Sequence, residues 1–109
     1  MKFKLKKVRI WCMLSAVYSL KMYYDDLLGR TPTELSDKLA HLATLERLKA
    51  LIIRLRNRLE FHRTDWITIT FNTSEIQLLY DAVINYPSTN FYESQQIIAI
   101  IHQEAIRYI

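Results

Sequence analysis

The sequence predicts a mostly α-helical fold with a minor β component (α+β): a compact four-helix domain with one short strand. Three observations carry this. Chain-breakers are scarce, with Gly29 the single glycine and Pro32 and Pro87 the only prolines in 109 residues, too few for the turns of a β-sandwich or barrel. Helix-start chemistry recurs at three places along the chain. One segment, residues 66–71, reads as a clear strand. Half of the residues are hydrophobic, enough for a core and too many for a disordered tail, and the length fits one domain over residues 1–109.

The chain opens with Phe3 and Leu5 alternating with Lys2, Lys4 and Lys6. Five cations before position 10 would sit badly at a helix N-terminus, where the macrodipole repels positive charge, so an extended start over residues 2–6 is favoured. A first helix over roughly 8–28 follows, with Ile10, Met13, Leu14, Val17, Leu20, Tyr24, Leu27 and Leu28 on one broad stripe. Gly29 is expected to end it as the permissive residue of a helix C-terminus.

Thr31-Pro32-Thr33-Glu34 reads as a capping box: the Thr31 hydroxyl accepts a backbone N–H, Pro32 fits the first helical position and Glu34 reaches back. It starts a long second helix over roughly 32–62, whose stripe is Leu35, Leu39, Leu42, Leu45, Leu48, Ile52, Leu55 and Leu59. From Leu45 to Leu59 the steps are 3-4-3-4, which is coiled-coil spacing over about two heptads.

Residues 66–71 form the clear strand, Ile67, Ile69 and Phe71 alternating with Thr68 and Thr70. A lone strand leaves backbone groups unpaired and needs a neighbour. Residues 2–6 are the preferred partner, and the same strand of a second protomer is the alternative. Asn72-Thr73-Ser74-Glu75 repeats the capping box, with Phe71 and Ile76 as hydrophobic staple, and begins a third helix over about 73–86 that Pro87 stops. Asn90-Phe91-Tyr92-Glu93 begins a fourth over about 91–108. Ile97, Ile98, Ile100, Ile101, Ala105, Ile106 and Ile109 make that helix apolar nearly all round, which predicts a central position or cover from another molecule. Ile97, Ile101, Ile106 and Ile109 are therefore the candidate oligomer interface.

Little in the chain points to catalysis. His41, His62 and His102 have no ligand at metal-site spacing. Cys12 is the only cysteine, so no internal disulfide forms, and it lies in an apolar stretch as a small buried hydrophobe. Tyr23-Tyr24-Asp25-Asp26 has the letters of the Tyr-x-Asp-Asp turn of reverse transcriptases, but it falls on the last turns of a helix, where pairing with Lys21 or Arg30 is the plainer role. There is no phosphate-cradling glycine loop, nucleophile elbow or paired-carboxylate cleft. No cofactor, no metal and no enzymatic activity are expected. The uncharged run over residues 10–20 is well short of the roughly 20 residues that span a bilayer, and a soluble, cytoplasmic protein is expected.

Charge is the strongest functional signal. Residues 1–63 carry 14 Lys+Arg against 6 Asp+Glu, whereas residues 64–109 carry 1 against 5. Such a split points to an anionic partner, or to a protomer that docks its own opposite end. At 100° per residue, Arg47, Arg54 and Arg58 lie on one edge of the second helix's stripe, and Lys49, Arg56 and Arg63 on the other. With Lys2, Lys4, Lys6, Lys7 and Arg9 they make a cationic ridge suited to phosphates or to an acidic protein surface. The plainer reading is a solvated face whose long stems cover the rim of the core.

The leading functional expectation is a non-catalytic binding or regulatory protein, an inhibitor or adaptor of a larger protein or nucleoprotein machine. In general style (short, glycine-poor, helix-rich, without a cofactor motif) the whole chain resembles small accessory proteins of phages and mobile elements, including inhibitors of host defence nucleases. Direct nucleic-acid binding through backbone contacts is the first alternative, because no short recognition helix is present for base reading. A structural homodimer is the second.

Overall fold

A computed structural model describes residues 1–30, 34–61, 63–87 and 90–107. Its elements are β1 (Lys2–Lys6), α1 (Lys7–Arg30), α2 (Leu35–Phe61), β2 (Trp66–Thr70), α3 (Thr73–Asn85) and α4 (Phe91–Ile106). The chain is mostly helical, with one two-stranded antiparallel sheet among the described residues.

The opening alternation does form a strand, and its neighbour is internal. β1 pairs with β2 in the register Lys2↔Thr70, Phe3↔Ile69, Lys4↔Thr68, Leu5↔Ile67 and Lys6↔Trp66. β2 ends at Thr70, one residue before the expected boundary, but Phe71 still exchanges hydrogen bonds with Met1, its N–H donating to the Met1 carbonyl at 2.8 Å. Phe3, Leu5, Ile67 and Ile69 all face the core, and the Phe3 and Phe71 rings meet at 5.9 Å. Period two thus sorts the sheet into a buried apolar face and an exposed polar one.

α1 is the helix at the centre, touching α2, α3, α4 and β1. Cys12 and Ala16 join Ile10, Met13, Leu14, Val17 and Leu20 in the buried set, because partners on several sides widen the stripe. The helix does not stop at Gly29. It runs on to Arg30 with no positive φ, and an Asp26–Arg30 ion pair of 2.8 Å spans the final turn.

In α2, Leu45, Leu48, Ile52, Leu55 and Leu59 are buried as the stripe predicts, together with Leu51. Leu35, Leu39 and Leu42 are not; they are exposed. The α1–α2 hairpin is built from helices of 24 and 27 residues, whereas α3 and α4 have 13 and 16. At 1.5 Å per residue these two helices outrun their cover, which leaves Leu35, Leu39 and Leu42 exposed at the start of α2. Of the capping box expected at residues 31–34, residues 31–33 lie outside the described residues.

α3 starts as expected. The Asn72 side-chain oxygen accepts from the Glu75 N–H at 2.8 Å, and the Glu75 carboxylate accepts from the Asn72 N–H at 2.9 Å. Phe71 and Ile76, the expected staple residues, are both buried. Asn90 caps α4 by accepting from the Glu93 N–H at 3.2 Å. α4 is not central, and its own chain covers it on one side only. Ser94, Ile97 and Ile101 form its buried line, while Gln95, Ala99, His102 and Ile106 are exposed, so it is an amphipathic helix on the outside of the bundle.

Candidate binding surface

The cations expected to form one ridge divide into three groups, with Arg9 apart. The first is on the sheet. Because Phe3 and Leu5 turn inward, Lys2, Lys4 and Lys6 all project from the outer face, beside Trp66, Thr68 and Thr70 of β2. The Lys4 and Lys6 ammonium groups lie 5.8 and 5.4 Å from the centre of the Trp66 ring, within cation–π range. Trp66 itself is 46% exposed. None of Lys2, Lys4, Lys6 and Lys7 has a carboxylate partner among the described residues.

The second group, Arg47, Arg54 and Arg58, turns back onto the protein. Arg54 places one guanidinium nitrogen 2.7 and 2.6 Å from the two Glu75 oxygens. Its other terminal nitrogen donates to the Thr70 carbonyl, and its guanidinium lies 5.5 Å from the Phe71 ring centre. Arg58 donates to the Thr68 carbonyl at 2.6 Å, and Arg47 to the Ser74 hydroxyl. The spacing explains the match: four residues of helix rise about 6 Å and two residues of strand advance about 6.7 Å. Arginines at i and i+4 of α2 therefore meet alternate carbonyls along β2.

The third group, Lys49, Arg56 and Arg63, is exposed. Arg56 reaches across to α1, donating to the Tyr18 hydroxyl at 3.3 Å. Arg9 is committed to Glu93 of α4, with Nε 2.8 Å from the carboxylate.

The proposed oligomer residues divide as well. Ile97 and Ile101 are 0% and 4% exposed within one chain and belong to its own core, so they are not available to a second copy. Ile106 is exposed, and Ile109 lies outside the described residues. An exposed apolar stripe that sequence reasoning missed is on α1. Val8, Trp11, Tyr18 and Met22 are exposed and step through Ser15 at 3-4-3-4. That spacing was readable in the sequence, but the stronger stripe through Ile10, Met13 and Val17 hid it.

A polar cleft of about 690 Å³ opens between α1, α2 and α3, with Tyr23, Tyr24, Tyr86, Arg47 and Asp81 among its walls. The aspartates of the Tyr-Tyr-Asp-Asp run are ion-paired within their own helix, Asp25 with Lys21 at 2.9 Å and Asp26 with Arg30 at 2.8 Å. His41 packs its ring against Tyr24, His102 is exposed, and His62 lies outside the described residues. Among the described residues no group of three or more His, Cys, Asp or Glu could hold a metal ion, and no helix is long and apolar enough to cross a membrane. No protein-family model, curated protein or solved structure matches this chain.

Proposed function

We propose that this protein is a non-catalytic binding protein, an adaptor or inhibitor of a larger partner, and that it meets an acidic protein surface through the lysine face of its sheet. The supporting observation is that Lys2, Lys4 and Lys6 share one exposed face with no carboxylate partner among the described residues, while Arg9 and Arg54 are paired internally. A contiguous set of unpaired charges of one sign focuses an anionic partner and raises its on-rate. Exposed Trp11, Tyr18 and Met22 on α1 add the aromatic and methionine content of protein contacts.

Trp66 among the lysines favours a second reading, direct nucleic-acid binding, since a cationic face with an aromatic side chain suits a phosphate backbone and a stacked base. One titration separates the two. Poly-glutamate and a single-stranded oligonucleotide are compared as ligands for the wild type, for the Lys2→Glu/Lys4→Glu/Lys6→Glu variant and for a Lys38→Glu control. The proposal requires poly-glutamate binding that only the sheet variant loses. Stronger oligonucleotide binding, with a log–log salt slope of about −2 for three neutralised phosphates, would transfer the function to nucleic acid. Binding unaffected by the sheet variant would remove both readings.

A further inference from the structure

We propose that the outer edge of β1 accepts an additional strand from the acidic partner, an extended segment in which Asp or Glu alternates with apolar residues. The inference rests on the lysine face as the binding surface and specifies the shape of what binds there.

The hydrogen-bond phase of the sheet defines the edge. Met1 bonds Phe71 in both directions, and the Lys7 N–H donates to the Asp65 carbonyl at 2.9 Å. Antiparallel pairing alternates every two residues, so Phe3 and Leu5 are the inward-bonding residues of β1. Lys2, Lys4 and Lys6 then aim their backbone groups away from β2. Among the described residues, the N–H and C=O of Lys2 and Lys4 have no backbone or side-chain hydrogen bond.

The opposite edge is different. The outward carbonyls of β2 at Thr68 and Thr70 accept from Arg58 and Arg54. Two guanidinium groups thus stand where a third strand would otherwise bond β2, which leaves β1 as the side on which the sheet can grow. A two-stranded ribbon gains from a third strand, and an uncovered edge is a template for one.

Side-chain chemistry selects the occupant. Residues directly opposite on neighbouring strands have Cβ atoms about 5 Å apart on the same face. An incoming strand would therefore set every second side chain beside Lys2, Lys4 or Lys6, and carboxylates there form cross-strand ion pairs. A second copy of this chain fits badly: pairing β1 with β1 sets lysine opposite lysine, or turns the lysines onto the buried face. The charges that guard the edge against self-association are the ones that admit an acidic strand.

The test uses the full chain, isotope-labelled, and three eight-residue peptides: alternating Glu and Val, alternating Lys and Val, and the Glu–Val peptide N-methylated along its backbone. Binding is followed by NMR, together with amide exchange at Lys4. The Glu–Val peptide should bind and slow Lys4 N–H exchange about tenfold, the effect of ~1.4 kcal/mol of added protection. The Lys–Val peptide should not bind, and the N-methylated peptide, equal in charge, should give no protection because it has no N–H donors and its methyl groups block strand pairing. The Lys2→Glu/Lys4→Glu/Lys6→Glu variant should reverse the preference toward the Lys–Val peptide. Equal binding of both Glu peptides with no Lys4 protection would overturn strand addition and leave the acidic-surface reading standing. Failure of every Glu peptide to bind would overturn both.

Discussion

Glu75 holds two contacts that one pair of substitutions can separate. Its carboxylate caps the Asn72 N–H at 2.9 Å and meets Arg54 at 2.6 Å. Replacing Glu75 by Ala removes both. The lost half of a capping box costs about 1 kcal/mol. The ion pair is worth less than a buried one, because the Arg54 side chain is 39% exposed; about 0.5–1 kcal/mol is appropriate. The total is about 1.5–2 kcal/mol, which for a domain of this size lowers Tm by about 6–8 °C. Glu75→Gln keeps an oxygen for the cap and loses only charge, so it should cost about 0.5–1 kcal/mol. Denaturant titration followed by far-UV circular dichroism measures both, and an Arg54→Ala/Glu75→Ala cycle should give a coupling of about 0.5–1 kcal/mol. If Glu75→Gln costs as much as Glu75→Ala, or the cycle shows no coupling, the division between cap and ion pair is wrong.

Gly29 lies inside α1 with negative φ and nothing within 4 Å of an added Cβ, so Gly29→Ala should stabilise the protein by about 0.4–1 kcal/mol, seen as a higher denaturation midpoint. Leu55, at 0% exposure, should cost about 3 kcal/mol as Leu55→Ala through the cavity it leaves. Ile106→Glu on the exposed side of α4 should fall within about 0.5 kcal/mol of wild type, whereas Ile97→Ala in the core should cost about 2–4 kcal/mol; equal effects would contradict the one-sided burial of α4. Trp11→Glu/Met22→Glu should leave the circular dichroism spectrum unchanged and lower the binding of a hydrophobic dye, since both residues stand on the exposed α1 stripe.

Local chemistry was legible wherever the answer lay within a few residues. Alternation at Phe3 and Leu5 and again at Ile67 and Ile69 defined two strands, each with one apolar face, and the surplus of lysine near the start argued against a helix there. The Asn72–Glu75 reciprocal cap was readable because both partners sit three residues apart. What failed needed knowledge of neighbours. Leu35, Leu39 and Leu42 lie on the same stripe as Leu45 and Leu48, but periodicity reports which way a side chain points and not whether another helix is long enough to cover it. Gly29 looked like a stop because its permissiveness is a local property, whereas the helix continues where an Asp26–Arg30 pair holds the turn. The isoleucines of α4 suggested burial on every side, and the fold gave them one side only, because α1 already holds the centre.

The charge split can now be followed to its contacts. Two of its cations, Arg9 and Arg54, reach from the basic part of the chain to Glu93 and Glu75 in the acidic part, which is the self-docking alternative realised within one chain. Arg58 and Arg47 are spent on the Thr68 carbonyl and the Ser74 side chain. This use suits arginine, whose planar guanidinium can serve a carboxylate and a carbonyl at once while lying over an aromatic ring. Lysine, a compact and strongly hydrated charge, has no such advantage in stitching a fold. The lysines of β1 accordingly remain at the surface, on a strand whose outer edge no arginine among the described residues closes, and it is there, rather than along α2, that the proposed acidic partner would find both charge and backbone to engage.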